Sequence, residues 1–103
     1  MLNRNNVKVS VTQTGSDDPM VFSVIVEDRG LRTTHRVTLA HKTWARMTSD
    51  QQTEPAECVR AAFRYLLERE PASEILPSFD VNVIRMYHPG FERDIPAYLP
   101  AHS

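Results

Sequence analysis

The Arg29-Gly30 dipeptide, set between MVFSVIVED and LRTTHRVTLAH, constrains this chain more than any other feature. Both flanks alternate apolar and polar residues, the period of a strand with one buried face. A two-residue hairpin turn needs positive φ, which glycine adopts without steric cost. Such a turn sets Val26 opposite Thr33, Val24 opposite His35, Phe22 opposite Val37 and Met20 opposite Leu39. On the other face Glu27 meets Arg32 and Ser23 meets Arg36. A slip of one residue would destroy this sorting into an apolar and a polar face.

A third alternating segment, NVKVSVTQ, precedes the hairpin and is joined to it through the turn formers TGSDDP. The expected strands are residues 6–13, 20–28 and 31–41. In EPAECVRAAFRYLLEREP, Cys58, Val59, Ala62, Phe63, Leu66 and Leu67 fall on one broad stripe of a 3.6-residue period. Pro55 suits a first helical turn, Thr53 or Glu54 can cap it, and Pro71 denies Glu70 a helical conformation. A helix over about residues 55–69 follows. Between strand and helix, Trp44 and Met47 are spaced for a helical turn that tucks Trp44 under the sheet edge, and residues 49–53 read as a polar loop. The fold expected is α+β: one domain over residues 1–103, a three-stranded antiparallel meander packed against one long helix, with a short C-terminal helix or turn segment.

That C-terminal segment, SFDVNVIRMYHPGFERDIP, fits two templates. As a strand both of its faces are mixed. As a helix, over about residues 79–87, it has an apolar stripe of Phe79, Val83 and Tyr87 widened by Ile84, with Ser78 as N-cap and Asp80 in the first turn. The helix is the better fit, and Pro89-Gly90 ends it. The run PAECVRAAFRYLLEREP followed by SEILPSFDVNVIRMYHPGFE resembles the C-terminal half of small uncharacterised bacterial proteins. There an arginine-containing helix leads through ILxxFD into a segment ending in aromatic-x-Pro. The resemblance covers about residues 53–92 and implies a recurring domain of unknown function, with no activity attached.

The 41% hydrophobic and 24% charged content belongs to an ordinary globular chain. No apolar run reaches the roughly 20 residues of a membrane span, and the N-terminus has no signal-peptide pattern, so a cytoplasmic protein with no membrane association is expected. Cys58 is the single cysteine, which rules out an intrachain disulfide framework and a multi-cysteine zinc site. Bases outnumber acids over residues 1–48 and acids outnumber bases over residues 49–103. That mild division argues against a dedicated polyanion binder.

Candidate chemistry is sparse. His35 and His41 share strand parity but lie roughly 20 Å apart along an extended strand, too far for one ion. No HxH, HxxxH or CxxC spacing supplies metal ligands, and no cofactor is implied. Cys58 reads as a small buried hydrophobe whose ionisation Glu54 and Glu57 oppose. His88 has Glu92 and Asp94 nearby but no nucleophile, and reads as a solvated histidine. Arg60 and Arg64 decorate the outer side of the long helix, where they form ion pairs or face an acidic partner. Lys8, Arg32 and Arg36 share the polar sheet face, which lacks aromatic residues for base stacking.

These observations lead to a non-enzymatic protein-interaction module that binds a protein partner and self-associates as a homodimer. Its expected interaction surface draws on Arg60, Arg64, Lys8, Arg32, Arg36, His88 and Phe91. Nucleic-acid association through the mildly basic sheet face is the second reading. A small enzyme using His88 or His35 with a carboxylate is the third.

Overall fold

In the computed structural model, which describes residues 7–48 and 53–100, the hairpin forms as its pattern requires. Strands β1 (Val7–Gly15), β2 (Met20–Asp28) and β3 (Leu31–Leu39) make an antiparallel meander. The β2–β3 register pairs Val24 with His35, Phe22 with Val37 and Glu27 with Arg32. Arg29 and Gly30 both take positive φ, 55° and 85°, the mirror-image turn whose twist matches that of the strands it joins. On β1, Val9 faces Val26 and Val11 faces Val24, with an irregularity between Gln13 and Gly15.

Helices α1 (His41–Met47) and α2 (Pro55–Leu67) follow. Strand β3 therefore stops two residues before His41, whose backbone N–H opens α1 and donates to Asp18 Oδ1 at 3.1 Å. Trp44 packs against the core, half-buried, and its Nε1–H donates to the Thr53 carbonyl at 2.8 Å. Of the expected polar loop, residues 49–52 lie outside the described residues, as does residue 6 at the start of β1. The N-cap of α2 is Glu54, which makes no side-chain capping bond, and Pro55 occupies the first turn. The helix ends two residues earlier than its pattern suggests. The N–H groups of Arg69 and Glu70 both donate to the Leu66 carbonyl, a tightened last turn forced by Pro71.

The sheet has four strands, and this corrects the three-stranded expectation. After α2 and a 3₁₀ turn at Ala72–Glu74, strand β4 (Ser78–Asp80) lies parallel to β3, with Phe79 beside Val37. A second 3₁₀ turn at Val81–Val83 leads into α3 (Ile84–Tyr87), so residues 79–87 are strand, turn and helix in succession rather than one helix. Asp80, not Ser78, is the cap: its carboxylate accepts from the Asn82 N–H at 2.9 Å and from the Thr38 hydroxyl at 2.6 Å. Three strand residues are too few for a period-2 pattern to register, and a short edge strand also limits unwanted pairing. Helix α4 (Phe91–Asp94) and a 3₁₀ turn at Ile95–Tyr98 complete the chain's described part.

The core lies between the inner sheet face and α2. Phe22, Val24, Val26, Val37 and Leu39 from the sheet meet Cys58, Val59, Phe63 and Leu66 from the helix, all buried. Phe63 sits where β3, β4 and α2 converge, 5.2 Å from the His35 ring and 5.8 Å from the Phe79 ring between centroids.

Candidate functional site

A cleft of about 290 Å³ opens where the C-terminal turn of α2 faces the segment running from β4 through α3. Leu66 comes from the last turn of α2 and Glu70 from the turn that follows it, Glu74, Ile75 and Leu76 from the 3₁₀ turn and its exit, and Phe79 from β4. Val83, Ile84, Tyr87 and His88 close the far wall. Phe79, Val83 and Tyr87, the stripe read from the sequence, thus gather along one surface although the backbone carrying them changes type twice. Tyr87 and Leu76 stand at the mouth, 68% and 45% exposed, and Met86 next to Tyr87 is exposed as well.

The Leu76 side of the cleft is tied to the sheet by His35. Its ring is buried, with Nδ1 2.7 Å from the Leu76 carbonyl and Nε2 2.9 Å from the Thr33 hydroxyl. A carbonyl only accepts, so Nδ1 carries a proton and donates to it, while the Thr33 hydroxyl, which can donate or accept, completes the bonding at Nε2. The backbone N–H of Arg36 donates to the Pro77 carbonyl at 2.8 Å and secures the next residue. His35 is therefore a core histidine that positions Leu76.

The polar end holds a histidine–carboxylate pair. His88 Nε2 lies 3.1 Å from Glu70 Oε2, the two side chains 24% and 26% exposed, and the imidazole packs edge-on to Tyr65 at 6.0 Å. His88 is thus half-buried and engaged with α2, not solvated beside Glu92 and Asp94. Those acids serve elsewhere: Glu92 pairs with Arg46 and Arg85, and Asp94 with Arg93. Glu74 also lines the cleft; it is exposed, and its carboxylate makes no ion pair or hydrogen bond among the described residues.

The remaining expected surface residues are scattered. Phe91 is buried against Tyr65, ring centroids 5.1 Å apart, because the Pro89-Gly90 break folds α4 back onto α2. It cannot contact a partner. Arg60 is half-buried; it donates to the Val9 carbonyl at 2.6 Å and pairs with Glu57, so it covers the free edge of β1. Arg64 is exposed on α2. Lys8, Arg32 and Arg36 do share the outer sheet face, but Lys8 and Arg32 flank the same residue, Glu27, and Arg32 bonds it at 3.0 Å. The cleft itself was not foreseen. Its one sequence trace is the pairing of an apolar stripe at residues 79–87 with the acids Glu70 and Glu74.

Cys58 faces the core. Burial, reinforced by the charge of Glu57, pushes its thiol from 9.0 up to about 12. The native protein should leave a thiol reagent unconsumed at pH 8. Unfolding above pH 9 releases this proton, so stability falls between pH 9 and pH 12 by about 1.4 kcal/mol per pH unit and is unaffected by Cys58 below pH 9. Urea midpoints of the wild type and Cys58→Ala, compared at pH 8 and pH 10, should diverge in that direction; parallel pH profiles would contradict the assignment.

Among the described residues no group of three or more His, Cys, Asp or Glu is placed to hold a metal ion, and no helix is long and apolar enough to cross a membrane. No family model, curated protein or solved structure matches the chain.

Proposed function

We propose that the protein is a non-enzymatic cytoplasmic interaction module that docks a short segment of a partner protein in the cleft. The observation that carries this reading is the cleft's combination of apolar walls, small volume and exposed hydrophobic mouth. A cavity of about 150 Å³ holds a benzene ring, whereas sites for drug-sized ligands run from about 300 to 1,000 Å³. A volume of about 290 Å³ suits one or two side chains better than a large cofactor. Exposed Tyr87 beside Leu76 is the kind of aromatic anchor on which interfaces concentrate their energy.

Two other readings have less support. The His88–Glu70 pair has an oriented imidazole, but among the described residues no Ser, Thr, Cys or Lys lines the cleft to act as nucleophile. Among the described residues Arg36 is the one cation of the outer sheet face that is not beside Glu27, and the neighbouring Thr38 is bonded to Asp80. That leaves little net charge for a phosphate backbone.

A peptide-display selection on the immobilised protein tests the proposal, with a Leu76→Ser/Tyr87→Ser variant as counter-target. Both side chains are exposed, so the variant should unfold within about 0.5 kcal/mol of the wild type. The expected result is a set of apolar-anchored peptides that bind the wild type and lose at least about tenfold on the variant, as removing an interface anchor does. Peptides that bind both proteins equally, or none at all, would contradict the proposal. Self-association is the case in which the partner is a second copy; light scattering should then show a homodimer that the same two substitutions dissociate.

A further inference from the structure

We infer that the segment taken by the cleft carries a lysine or arginine beside its apolar anchor, and that Glu74 is the residue that reads it. This rests on the docking reading above. The charges around the cleft are unequally committed. Arg69 lies over the Tyr65 ring at 3.6 Å and donates to the Tyr65 carbonyl, and Arg85 reaches Glu92. Neither lines the cleft. Of the acids, Glu68 accepts from the Tyr98 hydroxyl at 2.6 Å and Asp80 is bonded to Thr38 and Asn82. Among the described residues Glu70 and Glu74 are the acids that line the cleft, Glu70 with one oxygen on His88 and Glu74 without an ion pair or hydrogen bond there.

An apolar seat bordered by an uncompensated carboxylate selects by charge. A segment that fills the seat also displaces water from around Glu74, which is unfavourable unless the segment brings a cation. An acidic segment meets repulsion at the same point. The site therefore fits an amphipathic peptide whose bulky aliphatic or aromatic side chain is followed closely by a base.

A heptapeptide library with leucine, phenylalanine or tryptophan fixed at the centre and random flanks is the probe. Selected in parallel on the wild type, Glu74→Gln and Glu74→Lys, it separates the two levels of the account. Among peptides that the Leu76→Ser/Tyr87→Ser variant fails to bind, Lys and Arg should be enriched next to the anchor. Their affinity should fall about two- to fivefold on Glu74→Gln, the size of one exposed ion pair, and fall with added salt. Glu74→Lys should instead select Asp and Glu. Cleft-dependent peptides with no preference for a base, or an unchanged preference on Glu74→Lys, overturn this inference and leave the docking reading standing. A library with no cleft-dependent binder overturns both.

Discussion

Replacing Phe63 by alanine should lower the unfolding free energy by about 3–5 kcal/mol, the usual range for deleting a buried aromatic ring. The ring is fully buried and touches His35 on β3 and Phe79 on β4, so its loss opens a void at the junction of sheet and helix. A domain of this size is stable by only about 5–15 kcal/mol, so the loss is a large share of the total. Urea unfolding followed by the emission of Trp44, the single tryptophan, measures it. Phe63→Leu, which refills much of the space, should recover part of the loss. An unchanged midpoint for Phe63→Ala would remove the basis for placing α2 against β3 and β4.

The second large effect is at His35. His35→Ala should cost about 2–4 kcal/mol, because it leaves the Leu76 carbonyl without its donor and vacates the space beside Phe63. The effect has a second component. Leu76 forms the mouth of the cleft, so peptides that depend on the cleft should bind His35→Ala more weakly even where the variant is fully folded. His35→Asn keeps a donor near the position of Nδ1 and should lose less than alanine in both measurements. Equal losses for Asn and Ala would mean that the ring's packing, and not its bond to Leu76, holds this segment.

The hairpin was legible because a two-residue turn fixes register and Phe22, Val24, Val26, Val37 and Leu39 alternate strictly around it. Helix α2 was legible from its wide stripe and its flanking prolines. Strand β4 was not, since Ser78, Phe79 and Asp80 are defined by what they pair with and not by a pattern of their own. The residues 79–87 show both sides of this. Their four-residue apolar spacing correctly grouped Phe79, Val83 and Tyr87, yet it could not distinguish a helix from a strand leading into a 3₁₀ turn.

Surface assignments failed wherever a long-range contact decided them. Phe91 is buried only because Pro89-Gly90 returns the chain to Tyr65, 26 positions earlier in sequence and 5.1 Å away in space. Arg60 looked like a solvated helix residue, but its guanidinium reaches the Val9 carbonyl on the edge strand. His88 has Glu92 and Asp94 as its acidic sequence neighbours, yet in the fold it meets Glu70. Periodicity assigns faces within an element; it carries no information about which distant element each face meets.

On the proposal above, this protein works through the cleft between α2 and α3, and not through its open sheet face. Chemical-shift mapping of the ¹⁵N-labelled protein, titrated with the best peptide from the display selection, tests that most directly. The account predicts perturbations centred on Leu66, Glu70, Leu76, Tyr87 and His88, with Ser10, Ser23, Ile25 and Thr34 on the sheet face unmoved. Perturbations centred on those four sheet residues, with the cleft silent, would contradict it.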